Sequence, residues 1–339
     1  MTPALRGLVV LAGFVVVPAI LFWLGGRAER SHGRLLSFAC RRIAWLGWTA
    51  LVVFTLSFFL MRAVPGGPFD DERRMAPQVK RNLEARFGLD RPVAEQYLAA
   101  LGGLPSLDFG PCMTLRDFTV REIIAQGLPP SMLLGLAALA WMLLIGVPVG
   151  VLAATRRGST LDVTLTALAS LGMAVPNFVL AGALMMPLVF WSGWLPAAGL
   201  TTVDAVLLPS FCLGAPFAAQ VARLVRTGLL EVLTQDWVRT ARAKGLSERR
   251  VVLGHALRGA MLPVVTFLGP ALAGILTGSL VIEQVFAIPG VGTHFVQSAL
   301  NRDYTLSLGM VMLYTVLVYG LNAVADLIHG LLDPRVSLS

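Results

Sequence analysis

A basic segment between Gln235 and Pro263 holds the densest group of side chains that could bind a partner. Eight charged side chains lie within residues 236–258, together with His255. Long apolar stretches flank the segment on both sides. Binding to anionic lipid explains such a basic loop, and docking to a protein is the alternative.

Local signals predict two short helices in this segment. Asp236 is placed to cap a helix over residues 237–244, which Gly245 would end. Ser247 is placed to cap a second helix, with Glu248 in its first turn, where a negative charge is favourable. Gly245 then forms the corner and is expected to have a positive φ. The second helix has an apolar stripe that is expected to bind a partner, formed by Leu246, Val252, Leu253, Ala256 and Leu257.

Motifs for catalysis are missing from the sequence. It contains no GxxxxGK[ST] to hold the phosphates of ATP, and no GxSxG or HExxH. Its histidines are scattered, at His32, His255, His294 and His329, and its cysteines are far apart, at Cys40, Cys112 and Cys212. Because neither set has the spacing of a metal or redox site, we expect the cysteines to be small apolar fillers. The chain is predicted not to be an enzyme and to hold no metal or cofactor.

Composition indicates a membrane protein. The chain is 56% hydrophobic and 14% charged, whereas soluble domains carry about 25% charged residues. Uncharged stretches of about 18 residues or more cross a bilayer as helices. Seven spans built around such stretches are predicted, over residues 7–25, 43–62, 128–155, 162–191, 204–226, 261–284 and 305–331. The fold class is therefore an all-α polytopic membrane protein.

Lysine and arginine lie mostly in loops and predict the orientation of the spans. Residues 25–42, 156–157 and 223–258 and the C-terminus are predicted to be cytoplasmic. The polar region 63–127 is predicted to lie outside, because long loops are largely exempt from this rule. The net charge of +8 does not indicate nucleic acid, which requires a clustered basic face on a folded domain.

The external region is predicted to be a folded cap. "APQVKRNLEARFGL" has apolar residues four apart and a glycine at its end, and "RPVAEQYLAALGG" begins with proline and ends in Gly-Gly. Both patterns predict short helices. "TVREIIAQGLPPS" predicts a helix that leads into the membrane and is broken at Pro129 and Pro130.

The first span has three explanations. A cleaved signal peptide fits Arg6 and the apolar core, but cleavage would leave the five arginines of residues 27–42 outside, against the orientation rule. A retained helix with its N-terminus outside is favoured. An incorrectly assigned start codon is the third explanation, since the rest reads as complete from about Leu35.

Polar residues in the spans are further candidates. Glu283 follows an apolar stretch and either lines a substrate path or makes a structural hydrogen bond at a helix end, which is favoured. Asn177 is a second candidate for the path. Asn322 and Asp326 are four apart and predict a polar contact between helices. Two glycine pairs permit close helix packing, Gly146 with Gly150 and Gly274 with Gly278.

The basic segment resembles the cytoplasmic signature of importer-type ABC transporter permeases. That signature is E-A-A, three residues, G, and I-x-L-P further on. "RTARAKGL" fits it through Thr240, Ala241 and Gly245, and "HALRGAMLP" closes it. Arg239 stands where the signature has Glu, and His255 where it has an apolar residue. Both departures are usual in the peptide-transporting branch of the family.

The resemblance covers residues 36–336. Further stretches in order look like the oligopeptide permease B subunit, namely "RAVPGGPFDDER", "FGLDRPVAEQY", "LDFGP", "GSLVIEQVFAIPGVG", "ALNRDYTLSLG" and "LLDPRV". Together they are more specific than the signature alone. The first helix departs from the family, whose members begin near "FACRRIAW".

The resemblance implies a multi-pass protein of the bacterial inner membrane with the type I ABC importer permease fold. It implies six core transmembrane helices, to which the first span adds one extra N-terminal helix. The extra helix and a basic linker would occupy residues 1–35, and the permease domain residues 36–336. Within that domain, residues 63–127 would form the periplasmic cap and residues 227–260 the cytoplasmic coupling segment.

The resemblance also implies partners. These are a second homologous permease subunit, two cytoplasmic ATPase subunits that hold ATP and Mg, a periplasmic or lipid-anchored peptide-binding protein, and membrane lipid. The ATPases would be contacted by Asp236, Arg239, Thr240, Ala241, Lys244, Gly245 and Leu246. The binding protein would be contacted by Asn301 and Asp303. The substrate is expected to be an oligopeptide, with dipeptides, glutathione, murein peptides and a nickel chelate left open.

Two other classes of protein fit the sequence less well. An ion-coupled secondary transporter favours paired ionisable groups near the midplane and inverted repeats, and the sequence has neither. A signalling or scaffold protein whose basic loop binds lipid gives no reason for the ordered external motifs.

Overall fold

A computed structural model describes residues 3–30, 34–69, 76–106, 108–115, 117–200 and 202–332. This part of the chain is helical and contains no strand beyond an isolated bridge between Pro111 and Thr119. The helices are α1 (Pro3–Arg30), α2 (Arg34–Ala63), α3 (Pro77–Arg86), α4 (Val93–Gly103), α5 (Val120–Thr155), α6 (Thr160–Ala174), α7 (Asn177–Met185), α8 (Asp204–Leu233), α9 (Asp236–Ala243), α10 (Leu257–Ala260), α11 (Leu262–Val285), α12 (Val291–Leu300) and α13 (Tyr304–Leu332). A 3₁₀ turn covers Leu104–Ser106, and π-helical turns cover Met186–Trp191 and Arg250–Ala256.

The predicted spans agree with the apolar helices of the structure. Six helices in the described ranges are long and apolar enough to cross a membrane, namely α1, α2, α5, α8, α11 and α13. The bent pair formed by α6 and residues 177–191 makes a seventh if it is counted as one span. The all-α polytopic fold is thus confirmed.

The fourth predicted span, residues 162–191, is not one straight helix. It bends by 105° between α6 and α7. Val175, at the break, has extended backbone angles of φ −82° and ψ 122°. Proline at position 176 disfavours the helical conformation of the residue before it, so the bend has a local cause that hydropathy does not reveal.

The break predicted at Pro129 and Pro130 is wrong. Both prolines lie inside α5, which continues from Val120 to Thr155. They deprive the carbonyls of Ala125 and Gln126 of their helical donors, but both of these residues are exposed. Water or headgroups can therefore satisfy these carbonyls, as happens at prolines in other membrane helices.

The described residues divide into two compact units. The first comprises the residues up to 128 and from 294 to 320, and the second comprises residues 129–293 and 321–332. In the first unit, α1 packs against α2 and α4. Gly7 of α1 lies directly on the backbone of Leu98 in α4, where a Cβ would have no room. The N-terminal end of α1 is thus attached to the region predicted to be the cap.

The cap contains the two short helices that the sequence predicts, α3 and α4. Gly88 follows α3 with a φ of 67°, as expected for a glycine that ends a helix. Phe69, Met113 and Tyr304 form a small buried cluster, against which Phe87 packs. The cap is therefore a folded structure with a core, as predicted.

Asp303 organises the cap from within. Its Oδ2 accepts hydrogen bonds from the backbone N–H of Met113 and of Thr114, both at 2.9 Å, and from Thr114 Oγ1 at 2.6 Å. Its Oδ1 accepts from the N–H of Leu306 at 3.0 Å and so caps α13. Because Asp303 is fully buried, its predicted contact with a binding protein is corrected to this internal role. Asn301 is exposed, and its contact stays a prediction.

In the second unit, α5 and α8 approach closely at glycines. A Cβ on Gly146 would lie 2.7 Å from the carbonyl oxygen of Ala218, and one on Gly150 would lie 2.5 Å from that of Ala222. The close packing predicted for this pair is confirmed. Gly274 and Gly278 of α11 also lie against neighbouring side chains, since a Cβ there would be 2.8 Å from Phe217 and 3.2 Å from Leu213.

A buried carboxylate connects α11 to α5 and to the first turn of α12. Glu283 is fully buried and accepts hydrogen bonds from Ser131 Oγ at 2.7 Å and from the N–H of Gly292 at 2.8 Å. Ser131 Oγ in turn accepts from the N–H of Val291 at 3.0 Å. A Cβ on Gly292 would lie 2.6 Å from Glu283 Oε2, so a glycine is needed there. These bonds agree with the structural role that the sequence favours for Glu283.

Replacing Gly146 with alanine is expected to lower the free energy of unfolding by roughly 1–3 kcal/mol, because the added methyl forces α5 away from α8. The matched control is Gly182→Ala in α7, where a Cβ would meet no atom within 4 Å. Thermal unfolding in detergent, followed by tryptophan fluorescence, measures both variants. Equal melting temperatures for the two would contradict the packing described.

Replacing Glu283 with alanine is expected to destabilise the protein strongly. Each buried donor left without an acceptor costs about 1–3 kcal/mol, and Glu283→Gln should cost less because it keeps one carbonyl oxygen. The same unfolding measurement tests both variants, with Glu231→Ala, at an exposed site on α8, as the control. A wild-type melting temperature for Glu283→Ala would show that the carboxylate does not hold the turn.

Candidate functional site

The charged part of the predicted coupling segment, residues 236–258, is called the coupling segment from here on, and it begins at α9. Gln235 is the N-cap residue, with φ −72° and ψ 150°, and no side chain caps the helix. The prediction that Asp236 is the cap is therefore wrong by one residue. Asp236 is the first helical residue, where its charge still favours the positive end of the helix dipole.

Gly245 ends this helix in the predicted conformation. Its φ is 81°, and its N–H donates to the carbonyl of Arg242 at 2.9 Å. The N–H of Leu246 donates to the carbonyl of Ala241 at 3.3 Å, so the corner is held by backbone bonds typical of a helix end. A Cβ at position 245 would meet no atom within 4 Å. Backbone conformation, and not space, therefore requires the glycine.

An ion pair closes the corner from outside. Arg242 Nη2 lies 2.6 Å from Glu248 Oε1, and Arg242 Nε donates to Glu248 Oε2 at 3.1 Å. The guanidinium lowers the pKa of Glu248, and the carboxylate raises the pKa of Arg242. Both side chains are about half exposed, so the pair adds little stability. Its two hydrogen bonds connect the residues on either side of Gly245.

The second helix of the segment differs from the regular helix predicted. It follows Ser247, whose carbonyl accepts from the N–H groups of Arg250 and Val251 at 2.9 and 3.0 Å. Arg250–Ala256 is then π-helical. Because hydrogen bonds of a π-helix join residues five apart, Val251 and Ala256 face the same side, and both are buried.

The apolar stripe of this helix is mostly covered by the protein itself. Val252, Ala256 and Ala260 form a buried cluster with Leu229 of α8 and Ala154 of α5. The prediction that the stripe binds a partner is therefore wrong for these positions. Leu253 stays 48% exposed. The buried part of the stripe holds the second helix against α5 and α8.

The predicted docking residues lie on the open side of the corner. Exposed positions are Asp236, Arg239, Thr240, Lys244 and Gly245, and half-buried positions are Ala241 and Leu246. Val238 is fully buried and holds α9 in place. Arg249 and Arg250 are also exposed, whereas the charge of Arg242 is balanced by Glu248. The open side is therefore strongly basic.

A second ion pair lies close to the start of α6 and was not predicted. Arg226 Nε and Nη2 donate to the two oxygens of Asp162 at 2.6 and 2.8 Å. Asp162 Oδ2 also accepts from the N–H of Gly158 at 3.0 Å. The pair thus ties the basic turn at 156–158 to α8, which leads into the coupling segment. The two residues are 64 apart in sequence, and no local pattern indicates their contact.

The other predicted site residues do not gather around one cavity. Asn177 is half-buried at the start of α7, with its Nδ2 3.2 Å from where a Cβ of Gly278 would lie. Glu283 accepts its hydrogen bonds from Ser131 of α5 and Gly292 of α12. A role of Asn177 and Glu283 in a substrate path stays a prediction. Asn322 of α13 lies against Gly269 of α11, with Oδ1 2.7 Å from the position of a Cβ there, as expected of a polar contact between helices.

Cysteine and metal chemistry receive no support from the described residues. All three cysteines are buried and unpaired, and burial raises the pKa of the Cys112 thiol to about 12. This agrees with their predicted role as apolar fillers. Among the described residues, no three histidine, cysteine or acidic side chains are grouped as metal ligands.

Comparison with known proteins identifies the family of the chain. Residues 146–338 match the family described as "Binding-protein-dependent transport system inner membrane component". The chain is 42% identical over 304 residues to the oligopeptide transport system permease protein OppB of Haemophilus influenzae. The aligned residues cover 89% of this chain and 99% of the relative. The chain is 42% identical over 301 residues to the dipeptide transport system permease protein DppB of Bacillus subtilis, which covers 89% and 98%.

Solved structures show the fold. A chain of the MetNI methionine ABC transporter in an inward-facing conformation matches with a TM-score of 0.53 at 21% identity, over 62% of this chain and 96% of that chain. A second crystal form matches with a TM-score of 0.54 at 23% identity. The predicted fold of an ABC importer permease is thereby confirmed. The chain belongs to the family of binding-protein-dependent transport system inner membrane components.

Proposed function

We propose that this chain is a transmembrane permease subunit of an ATP-driven importer of oligopeptides, and that the coupling segment docks on ATPase subunits. The basic, exposed corner around Gly245 carries this proposal. The names of the relatives, an oligopeptide and a dipeptide permease, support a peptide as the substrate. A dipeptide, glutathione, a murein peptide or a nickel chelate is the alternative within the same family.

The geometry of the corner suits a docking element. Buried Val238 and the cluster at Val252 and Ala256 anchor the corner. The Arg242–Glu248 ion pair connects the residues on its two sides. Arg239 and Lys244 project from its open side as exposed positive charges. A partner groove with acidic side chains would complement them.

The positions of α8 and α11 indicate how movement would reach the membrane. α8 ends at Leu233 and α11 begins at Leu262, so they lie immediately before and after the coupling segment. When ATP closes two ATPases, the docked corners would move together, and α8 and α11 would move with them. Access would then change between inward and outward through a two-state rearrangement driven from a distance.

Partner subunits supply what this chain lacks. ATP and Mg would be held by the two ATPases, and a second homologous permease would complete the path. A periplasmic or lipid-anchored binding protein would deliver the peptide and largely set its length and side-chain preference. Exposed Asn301 is the residue of this chain that we expect it to contact.

Replacing Gly245 with valine is expected to uncouple the subunit, because a β-branched residue is strained at a φ of 81°. Gly245→Asn is the matched control, since asparagine tolerates this conformation. Tagged protein is purified in mild detergent, and its partners are identified by mass spectrometry. Wild type and Gly245→Asn should recover two ATPases and a second permease, and Gly245→Val should lose the ATPases. Equal recovery with all three would contradict docking at the corner.

Uptake of labelled peptide by cells separates this function from an ion-coupled transporter. Accumulation of a tetrapeptide is expected to require the binding protein and ATP, and to persist when the proton gradient is dissipated with ATP maintained. Uptake that collapses with the gradient and proceeds without partners would overturn the proposal. If the cells took up a dipeptide in preference to the tetrapeptide, the proposed substrate would change and the ATP-driven import would stand.

A further inference from the structure

A cavity of about 300 Å³ lies in the first unit and is not explained by the coupling segment. It is formed by the last turns of α2 together with α12 and the start of α13, and Leu60, Val64, Phe295 and Arg302 are among its lining residues. Its volume lies at the lower end of the range of ligand pockets, roughly 300–1,000 Å³. Most of the lining side chains are apolar, among them Leu60, Val64 and Phe295, so the cavity suits an apolar group.

Arg302 at this cavity has an unusual environment. It is a non-glycine residue with a φ of 54°, a conformation that is rare outside functional or strained positions. Its guanidinium lies directly against Gly66, where a Cβ would collide with Nη1. The side chain is half-buried, yet no hydrogen bond or ion pair joins it to any residue that the structure describes. Among the residues that the structure describes, this half-buried cation has no anion as a partner.

Besides Arg302, the polar side chains that line the cavity are those of Ser57, Ser298, Tyr304 and Ser307. Ser307 Oγ donates to Ser298 Oγ at 3.1 Å, and Ser298 Oγ donates to the carbonyl of Phe295 at 2.8 Å. Both serines are buried on the inner wall. Tyr304 Oη donates to the carbonyl of Gly66 at 3.5 Å. The cavity therefore offers a ligand one cation, the hydroxyl of Ser57 and a largely apolar surface.

The depth of the cavity matches the edge of a membrane. The apolar span of α2 ends at Ala63, and Gly66, which Arg302 touches, follows three residues later. Leu60 and Val64 form the outer wall and are 64% and 53% exposed. We therefore expect the cation to lie where the hydrocarbon region ends. The exposed apolar side chains of Leu60 and Val64 on α2, called the trough below, lie beside it.

We propose that this cavity binds an anionic phospholipid from the leaflet on the side of the cap. Arg302 holds the phosphate through charge-assisted hydrogen bonds, and one acyl chain lies in the trough beside Leu60 and Val64. Basic pockets between transmembrane helices bind anionic lipid headgroups on the cytoplasmic side of membranes, and we infer that the same chemistry operates here in the other leaflet. The bound lipid would join α2 to the α12–α13 corner. The site is independent of the transport function proposed above.

Native mass spectrometry of the full chain, titrated with phosphatidylglycerol in detergent, tests the site. Wild type should retain one tightly bound lipid. Arg302→Gly should bind roughly tenfold more weakly, since one charge-assisted phosphate contact is lost. Because glycine accepts the positive φ, this variant should melt no lower than wild type. Arg302→Lys should bind at an intermediate level, and Arg81→Ala, at an exposed site on α3, should bind like wild type.

A second variant tests the trough without changing the charge. Ala299 lines the cavity at an exposed position, and Ala299→Leu should obstruct its mouth and weaken binding. Phosphatidylglycerol with a photoreactive acyl chain should label the peptide that contains Leu60. Unchanged lipid retention in both Arg302→Gly and Ala299→Leu would overturn the proposal.

Two further arms exclude other occupants. A tetrapeptide that displaces the lipid, when its C-terminal amide does not, would identify a substrate carboxylate site and overturn the lipid assignment. The measurement is repeated on the complex purified with its partners. If the lipid is lost only there, the surface belongs to a subunit contact and the proposal fails.

Discussion

The close contact between α5 and α8 is the constraint on which the second unit depends. Gly146 and Gly150 bring the backbones together, with Cβ positions 2.7 and 2.5 Å from carbonyl oxygens of α8. In a bilayer, where burial of apolar surface gives no advantage over lipid, such van der Waals contact holds helices together. Gly214 of α8 makes a similar approach to Ala138 of α5. We expect α8, held this tightly, to move together with α5, as the coupling role proposed above requires.

Buried polar groups have the complementary role of shaping the turns. Glu283 and Asp303 are both fully buried, and each accepts hydrogen bonds from backbone N–H groups that no helical carbonyl pairs, Glu283 at the first turn of α12 and Asp303 at the bend of Met113 and Thr114. Backbone groups without partners are costly in an apolar environment. The two carboxylates therefore stabilise irregular backbone at places where a regular helix ends.

Local signals in the sequence predicted much of this architecture. Apolar length identified the spans, and the need for a positive φ identified Gly245 as a corner. The errors have physical causes. Pro129 and Pro130 do not break α5, because the freed carbonyls are exposed, and a single proline, Pro176, bends a span that hydropathy treats as continuous.

Contacts between distant residues could not be predicted. The pairs Arg226–Asp162 and Asp303–Thr114 join residues 64 and 189 positions apart, and one sequence contains no signal for either. Glu248 was assigned to a helix start, although its carboxylate reaches back across Gly245 to Arg242. In the coupling segment, Gly245 and the capping residues predicted the corner, whereas tertiary packing decided which face is exposed.

Site-specific cross-linking from Thr240 tests the central claim most directly. Thr240 is exposed on the open side of the corner, and because all three native cysteines are buried, Thr240→Cys is labelled selectively with a photoreactive maleimide. Ser192→Cys, exposed in the turn after residue 191, is the control. A cross-link from position 240 to an ATPase subunit, with none from position 192, is the expected result. Cross-links from position 240 to lipid alone, in a complex that contains the ATPases, would contradict the account.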